Sequence, residues 1–571
     1  DMNFLMTIAA IGAAAIGEWS EGASAMFLFA VAQLLESFSM DRARNAIKAL
    51  MDLSPTEATV KRNGREETVP VADVRVDEII IIRPGQKIPL DGVVLTGRSA
   101  VNQAPITGES IPVDKEPGTE VFAGSINEQG ALEVRVTKLV EDTTLARIIH
   151  AVEEAQSSRA PSQTFVDRFS RVYTPAVVAV AVLIIVFPPL LDFGSWGEWF
   201  YRALAMLVIA CPCALVISTP VSIVSGLAGA ARGGVLIKGG AYLENAGAVS
   251  VVAFDKTGTL TKGKPAVTDV VSLDGIGETE LLRIAAAVEQ GSEHPLARAI
   301  IAKATERRIE LPASSGFEAL VGRGAKAVVG GQTIYLGNER LCREQNTCTK
   351  ESEEMLRRFE SEGKTGVLVT TEKEPIGAIA IADEVRPEAE SAIKSLKAAG
   401  VRKVLMLTGD NEGTARAVAE RLGVDEYFAE LLPDDKVSVV RELEERGERV
   451  AFVGDGVNDA PALATATVGL AMGAVGTDVA LETADIALMS DDLTRLGFAV
   501  WLSRRTLSII KQNIWFSIGI KAVFLVLAFF GLATLWMAVA SDMGASLLVI
   551  INGLRALKTG DQKIIERFVS T

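Results

Sequence analysis

Residues 251–261 read VVAFDKTGTLT, a short continuous apolar run that stops at Asp255. Two more apolar runs stop at polar groups: KVLML runs into Thr408, and RVAFV runs into GDGVND, residues 454–459. Strands buried in a parallel sheet are continuous apolar runs, and ligands of open α/β sheets bind beyond the carboxyl ends of the strands. The pattern therefore predicts a parallel sheet whose strand ends bring together Asp255, Thr408, Asp455 and Asp459.

These strand-end residues suit phosphate chemistry with a magnesium ion. Carboxylates held together repel one another unless a hard cation joins them, and Mg²⁺ prefers one or two carboxylates plus phosphate oxygens. An aspartate can also act as a nucleophile and form an aspartyl phosphate. Lys436, which follows PDD, adds a cation for the phosphate. TGD or GDG alone favours a simple turn, but the three strand ends together with Lys436 favour a site.

The motifs DKTGTLT, TGD and GDGVNDAP resemble the phosphorylation-domain motifs of P-type ATPases, whose core has the haloacid dehalogenase-like fold. The sequence TGES, residues 107–110, resembles the actuator motif of that family. The resemblance implies that ATP phosphorylates Asp255 and that Glu109 positions the water that hydrolyses the phosphoenzyme. It also implies that Asp455 binds Mg²⁺ together with the Asp255 carboxylate and the Thr257 carbonyl.

The stretch 265–385 lies between the first two strand ends and would be an inserted domain. It contains SEHPL, residues 292–296, and GRG, residues 322–324. A single histidine in a polar loop is most often a solvated residue, and one GxG is a weak signal. SEHPL nevertheless resembles the nucleotide-domain signature of heavy-metal P-type ATPases. That resemblance implies an adenine-nucleotide pocket formed by Glu289, His294, Gly322 and Gly324, whereas His150 receives no role.

Composition indicates a membrane protein with several domains. The chain has 571 residues, of which 49% are hydrophobic, and its mean hydropathy is +0.29. A net charge of −15 argues against nucleic acid as a partner, because nucleic-acid binding needs a basic face. Four cysteines are too few for a disulfide framework.

Six apolar stretches approach membrane length, near 2–17, 23–40, 173–191, 199–222, 514–532 and 534–552. If they alternate across a bilayer, the Lys and Arg clusters fall on one side, and the short loops EWSEG and FGSWGEW carry neither residue. The positive-inside rule then places both termini and both long loops in the cytoplasm. We therefore expect a multi-pass cell-membrane protein in contact with the lipid bilayer. We also expect a monomer.

The expected fold is a multi-domain membrane protein. It combines an α-helical transmembrane bundle, a β-rich actuator domain and an α/β haloacid dehalogenase-like phosphorylation domain with an inserted α+β nucleotide-binding domain. The expected boundaries are transmembrane helices in 1–44, 166–224 and 506–571, an actuator domain at 45–165, a phosphorylation domain at 225–264 and 386–505, and a nucleotide-binding domain at 265–385.

The fourth apolar stretch contains Cys211-Pro212-Cys213. Residues two apart do not share a helical face, so both sulfurs reach one ion only where the helix is broken. Pro212 lacks an N–H, and we expect it to free the carbonyl of Val208 and unwind the backbone. The alternative is a kinked helix with two cysteines packed as small apolar residues. The CPC sequence is the ion-site motif of heavy-metal P-type ATPases, and by that resemblance both cysteines bind the transported ion.

Lys521 and Asp542 lie deep inside the last two apolar stretches, where a charge costs at least about 2.5 kcal/mol and is functional by default. The alternative is a snorkelling lysine and an interfacial aspartate. Two thiolates and Asp542 carry three negative charges, which a divalent ion and Lys521 neutralise, whereas Cu⁺ would leave a negative charge. Asn513 with Lys521, followed by Asp542-Met543-Gly544, resembles the zinc/cadmium/lead subgroup rather than the copper pumps.

Acidic residues elsewhere in the membrane region suggest an ion path. Glu36 is either a relay residue or an interfacial carboxylate, and Glu18 and Glu21 lie on the far-side loop where they could help release the ion. The sequence thus predicts ATP- and Mg²⁺-dependent export of Zn²⁺, Cd²⁺ and Pb²⁺. Metal would come from small thiol carriers or from an N-terminal metal-binding domain, which family members often have and which this chain does not show.

Two alternatives stay open at this point. A copper-exporting pump keeps the enzyme class but changes the ion, and Lys521 and Asp542 argue against it. A phosphatase-like signalling protein anchored by passive helices would transport nothing, and the Cys, Lys and Asp residues within the apolar stretches argue against it.

Overall fold

The computed structural model describes residues 2–51, 55–62, 64–103, 112–147, 149, 160–273, 275–292, 294–320, 322–455, 459–472 and 483–558. The chain forms two compact units. One comprises residues 1–248, 473–481 and 485–571, and the other comprises residues 249–472 and 482–484.

The helices of the described residues are, in chain order, α1 (Met2–Ala15), α2 (Trp19–Met51), α3 (Pro161–Leu190), α4 (Trp196–Ile209), α5 (Cys213–Arg232), α6 (Gly240–Ala248), α7 (Glu278–Glu289), α8 (Pro295–Glu306), α9 (Glu339–Glu344), α10 (Lys350–Ser361), α11 (Ala389–Ala398), α12 (Glu412–Leu422), α13 (Pro433–Glu445), α14 (Ala460–Thr465), α15 (Thr494–Phe529), α16 (Leu535–Gly553) and α17 (Arg555–Lys558).

The strands are β1 (Glu57–Arg62), β2 (Arg65–Pro70), β3 (Ile79–Ile82), β4 (Gly92–Thr96), β5 (Ser99–Asn102), β6 (Val113–Lys115), β7 (Glu120–Val121), β8 (Ile126–Asn127), β9 (Leu132–Val136), β10 (Val235–Ile237), β11 (Val251–Asp255), β12 (Thr261–Ser272), β13 (Ser314–Leu320), β14 (Gly324–Val329), β15 (Gln332–Gly337), β16 (Thr365–Thr370), β17 (Pro375–Val385), β18 (Lys403–Leu407), β19 (Glu426–Phe428), β20 (Val450–Gly454), β21 (Val468–Ala471) and β22 (Ile486–Leu488).

Four helical stretches of the first unit are long and apolar enough to cross a membrane: 161–190, 196–232, 494–529 and 535–557. They contain or overlap the last four of the six predicted segments. The first two predicted segments are helical as well. Within the described residues, neither meets the criteria of length and hydropathy that the four stretches meet. Helix α1 has only 14 residues, fewer than the roughly 20 that a span needs. Six spans therefore stay a prediction.

A small β-rich part of the first unit lies between α2 and α3, as the alternating pattern predicts. Its larger sheet has the strand order β2-β1-β3-β9-β4-β7, and a smaller one has the order β6-β5-β8. Alternate residues of the strands, such as Ile80, Leu132 and Val134, are buried in one apolar core. This period of two is what a sheet with one face on the core requires.

The second unit contains a parallel sheet in the order β21-β20-β11-β18-β19. Its three inner strands are the apolar runs singled out in the sequence. Val251, Leu405 and Phe452 come from these strands and are fully buried between the sheet and its helices. The sheet confirms the predicted parallel α/β architecture.

The inserted region of the second unit is an antiparallel sheet in the order β12-β17-β16-β15-β14-β13, with helices α7 to α10 packed on it. Strands β12 and β17 pair with each other and join this sheet to the parallel one along the chain. The α+β character predicted for the insertion is confirmed. The boundaries between the predicted domains remain predictions.

Candidate catalytic and metal-binding sites

The ends of β11, β18 and β20 lie side by side. In the parallel register Asp255 faces Leu407, and Phe254 faces Val453, so Thr408 and Asp455 each follow a strand that neighbours β11. The carboxyl ends of parallel strands share one sheet edge. The predicted convergence of three polar strand ends is therefore present in the fold.

Lys436, from the first turn of α13, links two of the acidic residues. Its Nζ donates to Asp255 Oδ1 at 2.6 Å and to Asp459 Oδ1 at 2.8 Å. The three side chains are at most 13% exposed. One buried ammonium thus serves two buried carboxylates, and the group keeps a net negative charge that suits a cation.

The environment of Asp255 opposes its charged form. Burial raises the pKa of Asp255 to about 6, the carboxylates of Asp459 and Asp455 act in the same direction, and Lys436 acts against them. Burial also raises the pKa of Asp459. Burial lowers the pKa of Lys436, but the charges and hydrogen bonds of both aspartates outweigh it and the net shift is upward. A divalent cation bound beside these carboxylates would oppose the effect of burial and favour their charged forms.

The turn after Asp255 passes beside Asp455. Gly258 has φ +77°, and a Cβ added there would lie 3.8 Å from Asp455 Oδ2. Asp459 Oδ2 is buried without a hydrogen-bond partner among the described residues. A buried carboxylate oxygen without a hydrogen-bond partner, next to further carboxylates, fits Mg²⁺. The expected ligands Asp255, Thr257 and Asp455 lie at or beside this turn.

Sequence reasoning missed the pairing of Lys256 with Asp410. Their Nζ and Oδ2 atoms are 2.7 Å apart, and Lys256 is buried. Both residues belong to motifs, DKTGT and TGD, in which the sequence predicted roles only for Asp255, Thr257 and Thr408. The Thr408 hydroxyl accepts the Asp410 amide at 3.1 Å, so Thr408 also shapes the TGD turn.

Two further residues that the sequence did not predict, Asp383 and Arg386, bind the backbone in and after the DKTGT turn. Asp383 accepts hydrogen bonds from the backbone amides of Gly263 (3.1 Å) and Lys264 (3.0 Å). Arg386 donates to the carbonyls of Gly258 (3.3 Å) and Thr261 (3.2 Å). The sequence offers one indication of their role, because both residues lie at the end of the insertion, where the chain re-enters the parallel sheet.

The expected nucleotide residues lie on three elements of the antiparallel region. Glu289 ends α7 and is buried, and burial raises the pKa of its carboxyl group. His294 caps α8, and its Nδ1 accepts the Leu296 amide at 3.3 Å. Gly324 has φ +145°, and an added Cβ would lie 2.0 Å from the Leu336 carbonyl oxygen, so this position requires glycine. Helix α7 packs on β14, which begins at Gly324.

The apolar helix that contains the two cysteines is broken at them, as predicted. Helix α4 ends at Ile209, and α5 begins at Cys213 after Pro212. One ligand atom from each of Cys211, Cys213 and Asp542 lies within 4.8 Å of the others. The break therefore lets both sulfurs point to one place.

The detail predicted for Val208 is wrong. Its carbonyl oxygen is not free, because it accepts the amide of Cys211 at 3.2 Å in a tighter turn. The carbonyls that the break frees belong to Ile209 and Cys211, and Lys521 occupies both. Its Nζ is 3.1 Å from the oxygen of Ile209 and also contacts that of Cys211.

Lys521 also pairs with Asp542, at 2.9 Å from Oδ1. An ammonium has three donors, and here they reach one carboxylate and two carbonyls. Asn513 lies about two turns before Lys521 in α15. It donates to the Val549 carbonyl of α16 at 3.1 Å and accepts from Asn552 at 2.9 Å. These contacts hold α15, α16 and the helix break in register.

All four cysteines are paired, Cys211 with Cys213 and Cys342 with Cys348. Each pair links residues only two or six positions apart, so neither forms a framework between distant elements. A soft metal ion binds thiolates, and binding at Cys211 and Cys213 therefore requires the reduced pair.

Several predicted residues lie outside the described part of the chain. Glu109 and His150 are among them, and so is the side chain of Glu36, which belongs to α2.

Of the two far-side acids, Glu21 accepts a hydrogen bond from the Tyr201 hydroxyl at 2.8 Å, and Glu18 is exposed. Thr257 is exposed in the turn after Asp255.

Two family models match the chain. Residues 249–467 match a haloacid dehalogenase-like hydrolase, and residues 52–153 match the P-type ATPase actuator domain. The matches cover four strands of the parallel sheet (β11, β18, β19 and β20), its insertion and the β-rich part of the first unit.

Relatives match the chain almost from end to end. A probable cadmium-transporting ATPase of Alkalihalophilus pseudofirmus is 54% identical over 98% of this chain and 78% of its own length. A zinc/cadmium/lead-transporting P-type ATPase of Escherichia coli is 46% identical over 97% of this chain and 74% of its own length. The crystal structure of a zinc-transporting PIB-type ATPase in the E2.Pi state superposes with a TM-score of 0.62 at 44% identity, covering 98% of this chain and 90% of that one.

Proposed function

The chain belongs to the heavy-metal-transporting P-type ATPases, and we propose that it uses ATP to export Zn²⁺, Cd²⁺ and Pb²⁺ from the cytoplasm. The observation that carries the proposal is the cluster of Cys211, Cys213 and Asp542 beside Lys521. Thiolates favour soft ions. A divalent ion and Lys521 cancel the charge of two thiolates and one carboxylate, whereas Cu⁺ leaves one negative charge buried.

The cycle uses the carboxylate of Asp255 as the nucleophile. Its oxygen attacks the γ-phosphorus of ATP, and ADP leaves with the electron pair of the broken bond. Lys436 and Thr408 hold the transferred phosphoryl group, and Asp459 keeps Lys436 in place. When bound by Asp255, Thr257 and Asp455, Mg²⁺ supplies stabilisation of the phosphoryl charge. Glu109 then positions the water that attacks the aspartyl phosphate, which restores the carboxylate and releases phosphate.

Glu289, His294, Gly322 and Gly324 form the adenine-nucleotide pocket in this proposal. The support is local: a buried acid at the end of α7, a histidine at the start of α8 and a glycine turn at the start of β14. Glycines allow the backbone to approach a flat ligand closely.

The proposed location is the cell membrane, with the large domains in the cytoplasm and the protein monomeric. Small thiol carriers or a separate metal-binding domain would deliver the ion to Cys211 and Cys213, and Glu36 would relay it. Export of a divalent ion against an inside-negative potential costs about 4.6 kcal/mol per 100 mV, twice the single-charge value, so coupling to ATP is needed.

A metal panel tests the proposal. The purified protein is reconstituted in vesicles, and ATP hydrolysis and ion uptake are measured with Zn²⁺, Cd²⁺, Pb²⁺, Cu⁺ and Co²⁺, with Cys213→Ser as the matched control. We expect stimulation and uptake with the first three ions, and neither in the control. Stimulation by Cu⁺ alone would favour a copper pump, and hydrolysis that ignores every ion would favour an anchored phosphatase.

A further inference from the structure

The second cysteine pair joins α9, the helix next to the turn at residues 322–324 of the proposed nucleotide pocket, to the segment before α10. Cys342 is in α9 and only 2% exposed, whereas Cys348 is half-buried, one residue before the cap of α10. Their Cα atoms are 5.2 Å apart, within the range of roughly 4.4–6.8 Å that a disulfide needs. The backbone thus already holds the two cysteines where they can form and break a bond.

Helix α9 supports the glycine turn from both of its ends. At its start, Asn338 donates from Nδ2 to the Gly322 carbonyl at 3.1 Å and from its amide to the Arg323 carbonyl at 3.0 Å. At its end, Glu344 pairs with the Arg323 guanidinium at 2.8 Å. The position of Gly322 and Arg323 therefore depends on α9.

Helix α9 is too short to be stable alone. It has six residues, and isolated helices below about 12 residues are marginal in water. The bond between Cys342 and Cys348 closes a ring from the second half of α9 to the residue before the cap of α10. This ring limits the movement of α9 and, through it, of the turn at Gly322 and Arg323.

We propose that Cys342 and Cys348 are a site of reversible thiol–disulfide exchange that controls nucleotide affinity. The partner is a low-molecular-weight disulfide such as glutathione disulfide. The inference rests on the proposed nucleotide pocket, of which Gly322 and Gly324 are part.

The exchange balances in two steps. The half-buried Cys348, as its thiolate, attacks one sulfur of the small disulfide, and one small thiolate leaves. The Cys342 thiolate then attacks Cys348 and displaces the second small thiolate. The protein loses two electrons and two protons, and the small disulfide becomes two thiols. Disulfides that form in reducing compartments commonly have such a transient, redox-sensing role.

The bonded state should bind nucleotide more tightly. A turn that is already held in its binding geometry loses less freedom when the ligand binds. Soft metal ions bind small thiols and so lower the ratio of thiol to disulfide in the surroundings. The exchange would therefore strengthen nucleotide binding under the conditions in which the proposed cargo accumulates.

The test uses the full chain with Cys211→Ser and Cys213→Ser, so that only Cys342 and Cys348 can react. The protein is equilibrated with mixtures of reduced and oxidised glutathione, and free thiols and the ATP dissociation constant are measured. We expect two free thiols in the reduced protein and none in the oxidised one. We also expect a dissociation constant about three-fold lower in the oxidised protein.

The controls are Cys348→Ser and Cys342→Ala, each in the same background. Their ATP dissociation constants should not change with the ratio of reduced to oxidised glutathione. Two variants are needed because Cys342 is buried and its replacement can impair folding. Thiols that never oxidise, or an equal or weaker affinity in the oxidised protein, would overturn the inference. Absence of ATP binding in both states would instead reject the nucleotide pocket on which it rests.

Discussion

At Asp255 the requirements of folding and of catalysis conflict. The carboxylate is buried beside Asp459 and Asp455, and its pKa in the folded protein is about 6, above the ordinary 3.8. The folded state therefore binds this proton more tightly than the unfolded state, and the contribution of Asp255 to stability is lost as pH rises through about 4 to 6. At pH 7.5 the residue destabilises the fold that holds it.

Asp255→Asn should abolish the acid-stable phosphoenzyme that forms from ATP and also raise the melting temperature in Mg²⁺-free buffer. The free energy of unfolding at pH 7.5 should increase by an amount on the order of 1 kcal/mol. The increase should be smaller at pH 5, where the aspartate of the wild-type protein is protonated. Melting curves at the two pH values and labelling with ATP check both parts. A lower melting temperature at pH 7.5, or labelling at the wild-type level, would contradict this account.

Thr219 in α5 offers a test of a buried hydroxyl. Its Oγ1 is buried and has no hydrogen-bond partner among the described residues. An unpaired buried hydroxyl costs about 1–3 kcal/mol, and valine has the same shape without it. Thr219→Val should therefore raise the free energy of unfolding by about 1 kcal/mol in a thermal melt.

The matched control is Thr506→Val in α15. Thr506 is equally buried, but its hydroxyl donates to the Leu502 carbonyl at 2.9 Å. This variant should be neutral or slightly less stable. If Thr219→Val is the more destabilising of the two, a buried water must satisfy the Thr219 hydroxyl.

The break between α4 and α5 brings the metal ligands together and frees the carbonyls that accept hydrogen bonds from Lys521. Pro212→Ala should allow the helix to continue, which turns the sulfurs of Cys211 and Cys213 apart and withdraws the carbonyls of Ile209 and Cys211. We expect Cd²⁺ affinity to fall about ten-fold or more, equivalent to about 1.4 kcal/mol.

Pro220→Ala is the control for this change, because Pro220 lies inside α5 and away from the break. It should leave Cd²⁺ affinity nearly unchanged in equilibrium titrations of the reduced protein. Equal losses in both variants would mean that Pro212 acts through general helix stability and does not shape the site.

The sequence predicted elements well where a strong local pattern exists. Strands β11, β18 and β20 are apolar runs with a polar residue at the end, and parallel pairing then brings those ends together. Helix α1 shows the limit, because a largely apolar helix of 14 residues can be either a membrane span or a buried helix. The contacts of Lys521 with Ile209 and Cys211 could not be predicted, since they depend on how α15 approaches the broken helix.

The TGES motif and Asp255 belong to different domains in the proposed cycle. Glu109→Gln removes a carboxylate that acts on water but leaves Asp255, Lys436 and the nucleotide residues intact. The variant should still form phosphoenzyme from ATP and should accumulate it, with slow turnover in a chase experiment. Failure to form phosphoenzyme would assign Glu109 another role.

The transport site and the phosphorylation site must be coupled for export, and Lys521 is the residue through which that coupling can be tested. When the ion leaves, Lys521 neutralises Asp542, so that no unpaired carboxylate stays buried. Lys521→Ala should therefore impair metal-stimulated ATP hydrolysis more than phosphorylation of Asp255 itself.

Each single change, Lys521→Ala or Asp542→Asn, alters the partner's environment as well as removing its own group. The Lys521 ammonium holds Asp542 Oδ1 at 2.9 Å and the Ile209 carbonyl at 3.1 Å, so its loss leaves both a carboxylate and a freed carbonyl without a donor. Asp542→Asn instead removes a ligand and leaves the Lys521 charge uncompensated.

The losses of the double variant should then be smaller than the sum of the single losses, because groups in contact are not independent. Metal affinity and metal-stimulated hydrolysis of the three variants measure this difference. Additive losses would show that the two charges do not interact, and Lys521 would then serve only to hold the broken helix.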